Sequence, residues 1–170
     1  MSIVSLRSSG RQLNLHARLH VQAQSSTLSE QAQEKFQQLR EAYPGSRLLI
    51  VSNSAGTLSD PGSREAELVE RNTGVKVLRH TTKKPGCRSE ILSYFRDAPD
   101  SGVTSASQIA VVGDRLFTDV MLANLMGSHS VWVRDGVVED KGLLPRFEKY
   151  LARFLLRRGY VPPNPKSSFE

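Results

Sequence analysis

Two short apolar runs, Leu48-Leu49-Ile50-Val51 and Ile109-Ala110-Val111-Val112, contain no polar residue that could turn toward water. A strand with one face in solvent alternates apolar with polar side chains, so uninterrupted runs of this length predict strands covered on both faces. Such burial is typical of a parallel sheet layered with helices. Each run also opens directly into polar residues, Ser52-Asn53-Ser54-Ala55-Gly56-Thr57 after the first and Gly113-Asp114 after the second.

The segments between the runs read as helices and further strands. Thr27 followed by Glu30 matches a capping box, and Leu28, Ala32, Phe36, Leu39 and Tyr43 recur at helical spacing, which predicts a helix over 28–43 stopped by Pro44-Gly45. A helix over 63–73 ends at Gly74, Val75–Leu78 reads as a strand and Cys87–Phe95 as a helix. Phe117–Met126 reads as helical and Ser130–Val133 as a strand. Strands alternating with helices give an α/β fold class, a doubly wound Rossmann-like parallel sheet.

At 170 residues the chain fits one domain, with 28–158 as its body, 1–27 as a targeting or disordered segment and 159–170 as a flexible tail. The single cysteine, Cys87, excludes an intrachain disulfide and a cysteine-based zinc site. No apolar run approaches the roughly 20 residues that span a bilayer.

The formal charge of +6 is concentrated at the ends: residues 1–29 hold three Arg and no acid, and residues 141–170 hold seven Lys or Arg against two Glu. Basic ends on a near-neutral body suit an anionic surface, membrane or nucleic acid. The acid-free, Arg- and Ser-rich start has the composition of a mitochondrial transit peptide, whereas Leu13, Leu15, Ala17, Leu19 and Val21 alternate with polar residues as a half-buried strand does. Near the other end Leu144, Phe147, Leu151, Phe154 and Leu155 share a helical face edged by Arg146, Lys149, Arg153, Arg157 and Arg158. A basic amphipathic helix of this kind either packs on the sheet or lies on an anionic bilayer.

Ligands of open α/β sheets bind beyond the carboxyl ends of the strands. Ser52 and Asn53 there can be turn residues or donors to phosphoryl oxygens. Lys84 beside Pro85 can aim an ammonium, though a solvated basic loop is the plain alternative, and His80 reads as a loop or core residue. Asp114 at the tip of a buried strand, with Asp119 five residues on, fits either a Mg²⁺ site or a helix cap. A hydroxyl, then a lysine, then paired aspartates at successive strand ends is more specific than any one of them.

The blocks LIVSNSAGT (49–57), LRHTTKKPGC (78–87), VVGDRLFTDVMLANLMGS (111–128) and VWVRDGV (131–137) resemble class IIIA haloacid-dehalogenase-type phosphatases, and more narrowly the mitochondrial phosphatidylglycerophosphatases of cardiolipin synthesis. The resemblance implies phosphoryl transfer through an aspartyl phosphate, with Ser52 and Lys84 as catalytic residues. It further implies that Ser52, Asn53 and Lys84 bind phosphate, with Lys83 the competing lysine, and that Asp114 and Asp119 serve a Mg²⁺ cofactor. The implied substrate is an anionic phospholipid and the implied location the matrix side of the mitochondrial inner membrane. Peripheral membrane contact through Leu144–Arg158 follows, with no nucleic acid partner and room for a homo-oligomer.

One element of that family pattern is absent. Its first strand ends in Asp-x-Asp, the first Asp attacking phosphorus, but this chain has no Asp-x-Asp and its first Asp is Asp60. No nucleophile is therefore assigned, and the first central strand is expected to be missing or replaced, with Leu13–Val21 the candidate replacement. Two functions stand: a Mg²⁺-dependent phosphatidylglycerophosphate phosphatase whose own activity lacks its nucleophile, or a non-catalytic pseudophosphatase or truncated isoform that binds or regulates a complete homologue. A phosphorelay receiver domain is disfavoured, because it needs an acidic cluster after its first strand and residues 1–29 have no acid.

Overall fold

The computed structural model describes residues 2–6, 25–133 and 143–161. In chain order the elements are β1 (Ser2–Leu6), α1 (Ser25–Ala42), β2 (Leu48–Val51), α2 (Arg64–Thr73), β3 (Lys76–Val77) and α3 (Arg88–Asp97). They continue with β4 (Ile109–Gly113), α4 (Met121–Met126), β5 (His129–Trp132) and α5 (Leu143–Arg157). Every side chain of β2 is buried, as its unbroken apolar run requires. In β4 the burial alternates instead: Ile109 and Val111 are fully buried, while Ala110 and Val112 are only partly covered. The second apolar run thus has one well-covered face rather than two.

Around β2 and β4 the core gathers Ala66 from α2, Ile91 and Phe95 from α3, and Leu122 and Ala123 from α4, with Phe36 and Leu39 of α1 packed against it. Helix α2 ends as its sequence predicts. Gly74 takes a left-handed φ of 66° and donates its amide to the Glu70 carbonyl at 2.7 Å, a conformation that glycine adopts without a Cβ penalty. Its far end is held by Asp60, whose carboxylate accepts from the amides of Gly56, Glu65 and Ala66, each at 3.0 Å. Burial pushes the Asp60 carboxyl up, but those three amides and nearby Arg79 outweigh it and hold it below the usual carboxylate range. The helix predicted over 28–43 starts at Ser25, so Thr27 lies within its first turn and not at the cap.

The strand order is β3-β2-β1-β4-β5. β2 pairs with β3 and β4 with β5 in parallel, whereas β1 runs antiparallel to both of its neighbours. Four strands therefore point their carboxyl ends to one edge and β1 alone points away. The sheet is mixed, which corrects the expectation of an all-parallel one.

The missing central strand is replaced, though not by the expected segment. Leu13–Val21 lies outside the described residues, and Ser2–Leu6, within the stretch read as a targeting or disordered segment, fills the gap. Ser2 stands opposite Val51 and Ile3 opposite Val112, so β1 starts at the edge where β2 and β4 end. A strand of either direction can satisfy the facing amides and carbonyls of β2 and β4, which is why pairing alone does not enforce the family's direction.

Because Val4 is paired on both sides, to Leu49 and to Val111, it belongs to a ladder that proline cannot join. Val4→Pro is expected to lower stability by about 2 kcal/mol or more in urea unfolding, since it strands acceptors on buried neighbours. An unchanged urea midpoint would show that β1 contributes nothing to the sheet.

Candidate phosphate site

At the edge where β2, β3 and β4 end, three loops meet. The first leaves β2 with Ser52, whose hydroxyl lies 3.2 Å from the Ser54 hydroxyl and accepts from the Ser54 amide at 3.2 Å. Thr57 donates to the Ser54 carbonyl at 2.7 Å, which closes the turn. Gly56 adopts φ 79° and lies so close to the Leu78 carbonyl that a Cβ there would collide with it.

The second loop carries the two lysines. Lys83 is exposed, whereas Lys84 is buried and turned inward. Asn53 fastens this loop to the first: its Oδ1 accepts from the Lys84 amide at 2.7 Å and its Nδ2 donates to the Lys84 carbonyl at 3.5 Å. Lys84 Nζ then donates to the Val51 carbonyl at 3.1 Å and to Asp119 Oδ1 at 2.9 Å. Both side chains of this ion pair are almost wholly buried, 3% and 2% exposed.

The third loop follows β4. The helix predicted over Phe117–Met126 is divided into a π turn, Leu116–Val120, and the short α4. The wide turn brings Asp119 back over Gly113, and its Oδ2 accepts the Arg115 amide at 3.1 Å. A Cβ at position 113 would overlap the Asp119 carboxylate, which explains the glycine. Asp114 at the strand tip is half-buried, its carbonyl accepting from the Trp132 indole at 3.0 Å.

All five residues singled out in the sequence therefore lie on these three loops. Asp119 Oδ1 accepts from Lys84 and, at 3.3 Å, from the Thr118 hydroxyl, and its Oδ2 accepts from the Arg115 amide. Asp114 is the half-buried carboxylate of the two, and among the described residues no group of three or more His, Cys, Asp or Glu is placed to hold a metal. One hard carboxylate suits Mg²⁺, which keeps several waters and takes substrate phosphate oxygens as further ligands. Cys87, buried behind the lysine loop, has its thiol pushed up to about 11, chiefly by burial, and is no nucleophile at neutral pH.

Two supporting residues were not picked out in the sequence. His80, read as a loop or core residue, bonds to the Ser52 carbonyl at 2.8 Å. Glu148 of α5 is buried at 3% exposed; it accepts from the Phe117 amide at 3.4 Å and lies 3.7 Å from Arg115 Nε. Its position in the sequence gave no signal, because only the docking of α5 beside the third loop makes an acid useful there.

A hydroxyl, an inward lysine and a paired aspartate at the carboxyl edge of an α/β sheet define a phosphate-handling class of protein. The comparisons with known proteins agree. Residues 20–138 match the mitochondrial PGP phosphatase family, and the chain belongs to that family. It is 52% identical to the mitochondrial phosphatidylglycerophosphatase of Saccharomyces cerevisiae over 72% of this chain and 65% of that protein. It is 35% identical to the probable mitochondrial phosphatidylglycerophosphatase of Schizosaccharomyces pombe, over 84% of this chain and 68% of the other. It is also 34% identical to the chloroplastic/mitochondrial phosphatidylglycerophosphate phosphatase 1 of Arabidopsis thaliana, over 69% and 32%. The chain thus spans about two thirds of the length of the two yeast proteins and about a third of the plant one. No solved structure matches it.

Removing one partner of a buried ion pair leaves the other charged and unsolvated. Lys84→Met and Asp119→Leu are each expected to lower stability by about 3–5 kcal/mol in urea unfolding, and the double variant by far less than their sum. Additive losses would show that the two charges do not depend on each other.

Proposed function

We propose that this chain is the phosphate-binding body of a haloacid-dehalogenase-type phosphatidylglycerophosphate phosphatase. It acts on an anionic phospholipid at the matrix side of the mitochondrial inner membrane. The observation that carries the proposal is the buried Lys84 ammonium, fixed by Asp119 and the Val51 carbonyl beside Ser52. In this reading the Ser52 hydroxyl donates to a phosphoryl oxygen, Asn53 holds the lysine loop in place, and Lys84 offsets the phosphate charge. Asp114 would hold Mg²⁺, which supplies Lewis-acid polarisation of the phosphoryl oxygens when bound. Asp119 orients Lys84 rather than contacting the metal.

Phosphoryl transfer also needs an acceptor. The sheet position between β2 and β4 is held by β1, which begins there at Ser2, and no carboxylate of β1 is available since Ser2–Leu6 contains none. The chain as written therefore binds the phosphomonoester and does not cleave it. It should take up glycerol 3-phosphate with Mg²⁺ in calorimetry and release no phosphate. Replacing residues 1–26 with a strand ending in Asp-x-Asp should restore Mg²⁺-dependent release. Turnover by the unaltered chain would show that another group is the nucleophile. The reversed β1 also favours a second reading, a non-catalytic partner of a complete homologue, for which copurification without turnover is the expected result.

Helix α5 supports the lipid assignment. Glu148 and Ala152 face inward, whereas Phe147, Tyr150 and Phe154 are 55%, 69% and 45% exposed, and Arg153, Arg157 and Arg158 are exposed around them. The Arg158 guanidinium stacks over the Phe154 ring at 5.1 Å. No helix among the described residues is long and apolar enough to cross a membrane. Aromatic rings flanked by arginines suit the interface of an anionic bilayer. The chain is expected to sediment with vesicles containing phosphatidylglycerol but not with pure phosphatidylcholine, and Phe154→Ser with Arg157→Glu should release it. Equal sedimentation with both vesicle types would exclude this face as the anionic-lipid contact.

A further inference from the structure

His80 faces no substrate, yet it is only 5% exposed and both of its ring nitrogens are engaged. Nε2 lies 2.8 Å from the Ser52 carbonyl oxygen and Nδ1 lies 2.7 Å from the Thr82 carbonyl oxygen. Carbonyl oxygens accept and never donate, and a neutral imidazole has a single N–H. In either neutral tautomer one contact would set a nitrogen lone pair against an oxygen lone pair. Only the imidazolium, protonated on both nitrogens, satisfies both carbonyls.

The location gives this bond pair a consequence. The parallel pairing of β2 with β3 runs on through the Leu78 amide to the Ile50 carbonyl at 2.9 Å, and the His80 amide reaches the Gly56 carbonyl, also at 2.9 Å. Beyond the His80 amide the ring continues the link between the two loops, alongside the Asn53 contacts with the Lys84 backbone. It holds Ser52, whose hydroxyl faces the phosphate in the proposed function, and Thr82, two residues before Lys84.

We propose that His80 is a positioning residue of the phosphate site: held as the imidazolium, it clamps the Ser52 loop to the Lys84 loop and places a fixed positive charge directly behind Ser52. Glu90 of α3, an acid close enough to interact with the ring, has its carboxyl held below the usual range, first by the Ser89 hydroxyl against the effect of burial. Lys84 shares the loop but directs its ammonium to Asp119 and the Val51 carbonyl. The clamp rests on the reading of this edge as a phosphate site only for its effect on binding; the state of the ring stands apart from it.

The test uses the full chain labelled with ¹⁵N-histidine, with His80→Gln identifying the His80 ring signal by its loss. At neutral pH the His80 ring should show two protonated nitrogens. In His80→Gln, amide exchange of residues 52–57 and 81–86 should rise together, and the affinity for inorganic phosphate should fall about tenfold or more, as loss of a charged hydrogen bond predicts. A ring with one protonated nitrogen overturns the proposal, as does unaltered loop exchange or unaltered phosphate affinity in His80→Gln. If His80→Gln does not fold, replacing His16, His20 and His129 by Gln leaves His80 as the one labelled ring, and its state decides by itself. Should the wild-type chain bind no phosphate, the proposed function fails, while the ring state and the joint exchange of the loops still support or overturn the clamp.

Discussion

The ammonium of Lys84 and the carboxylate of Asp119 meet 2.9 Å apart with almost no contact with water, and much of the surrounding structure exists to make that contact tolerable. Each charge alone would be costly to bury, so each is given additional polar neighbours: the Val51 carbonyl for the lysine, the Arg115 amide for the aspartate. Gly113 leaves the space that the carboxylate occupies, and the π turn over Leu116–Val120 supplies the curvature that brings it there. Asn53 then fixes the lysine backbone. A pair of this kind adds little net stability over apolar packing, but it specifies one arrangement of three loops.

That arrangement suits an anion. A hydroxyl, an ammonium and a half-buried aspartate lie on loops at the end of the sheet where α/β proteins take their ligands. The chain belongs to the mitochondrial PGP phosphatase family, and under the proposed function the anion is the phosphate of a lipid phosphomonoester. Against the pattern that the family resemblance implies, the strand between β2 and β4 runs the other way and its residues, Ser2–Leu6, carry no carboxylate. β1 completes the ladder between β2 and β4, so the core is closed and the phosphate site stands, but the strand presents its beginning rather than its end at the site. Stability and catalysis ask different things of that position: the first needs only paired backbone groups, the second needs a carboxylate.

Support for the site comes from residues that touch no substrate. Glu148 joins α5 to the loop after β4, while the aromatic and arginine-rich side of that helix is exposed. The stripe read in the sequence as one apolar face is exposed at Phe147, Phe154 and Leu155 and partly covered at Leu151, while Glu148 and Ala152, outside that stripe, are the buried positions. An acid facing the core and aromatics facing out reverse the usual preference, because Glu148 has a buried amide to satisfy.

Much of this was legible beforehand. The apolar runs located β2 and β4, Gly74 marked the end of α2, and the polar residues after each run named Ser52, Asn53, Lys84, Asp114 and Asp119. Those signals are local: side-chain periodicity and the chemistry of strand ends survive in a one-dimensional string. The choice between Lys83 and Lys84, the π turn at Asp119, and the roles of His80 and Glu148 were not legible. Each depends on which backbone carbonyl or amide lies opposite a side chain, which folding alone decides. The same holds for β1, since Ser2–Leu6 is too short to announce itself and the vacancy that it fills lies between two strands distant in sequence. The sequence by itself placed a hydroxyl, a lysine and two aspartates after the strands of an α/β sheet; tertiary structure decided that the strand between β2 and β4 runs the other way, because unpaired backbone groups in a sheet accept either direction.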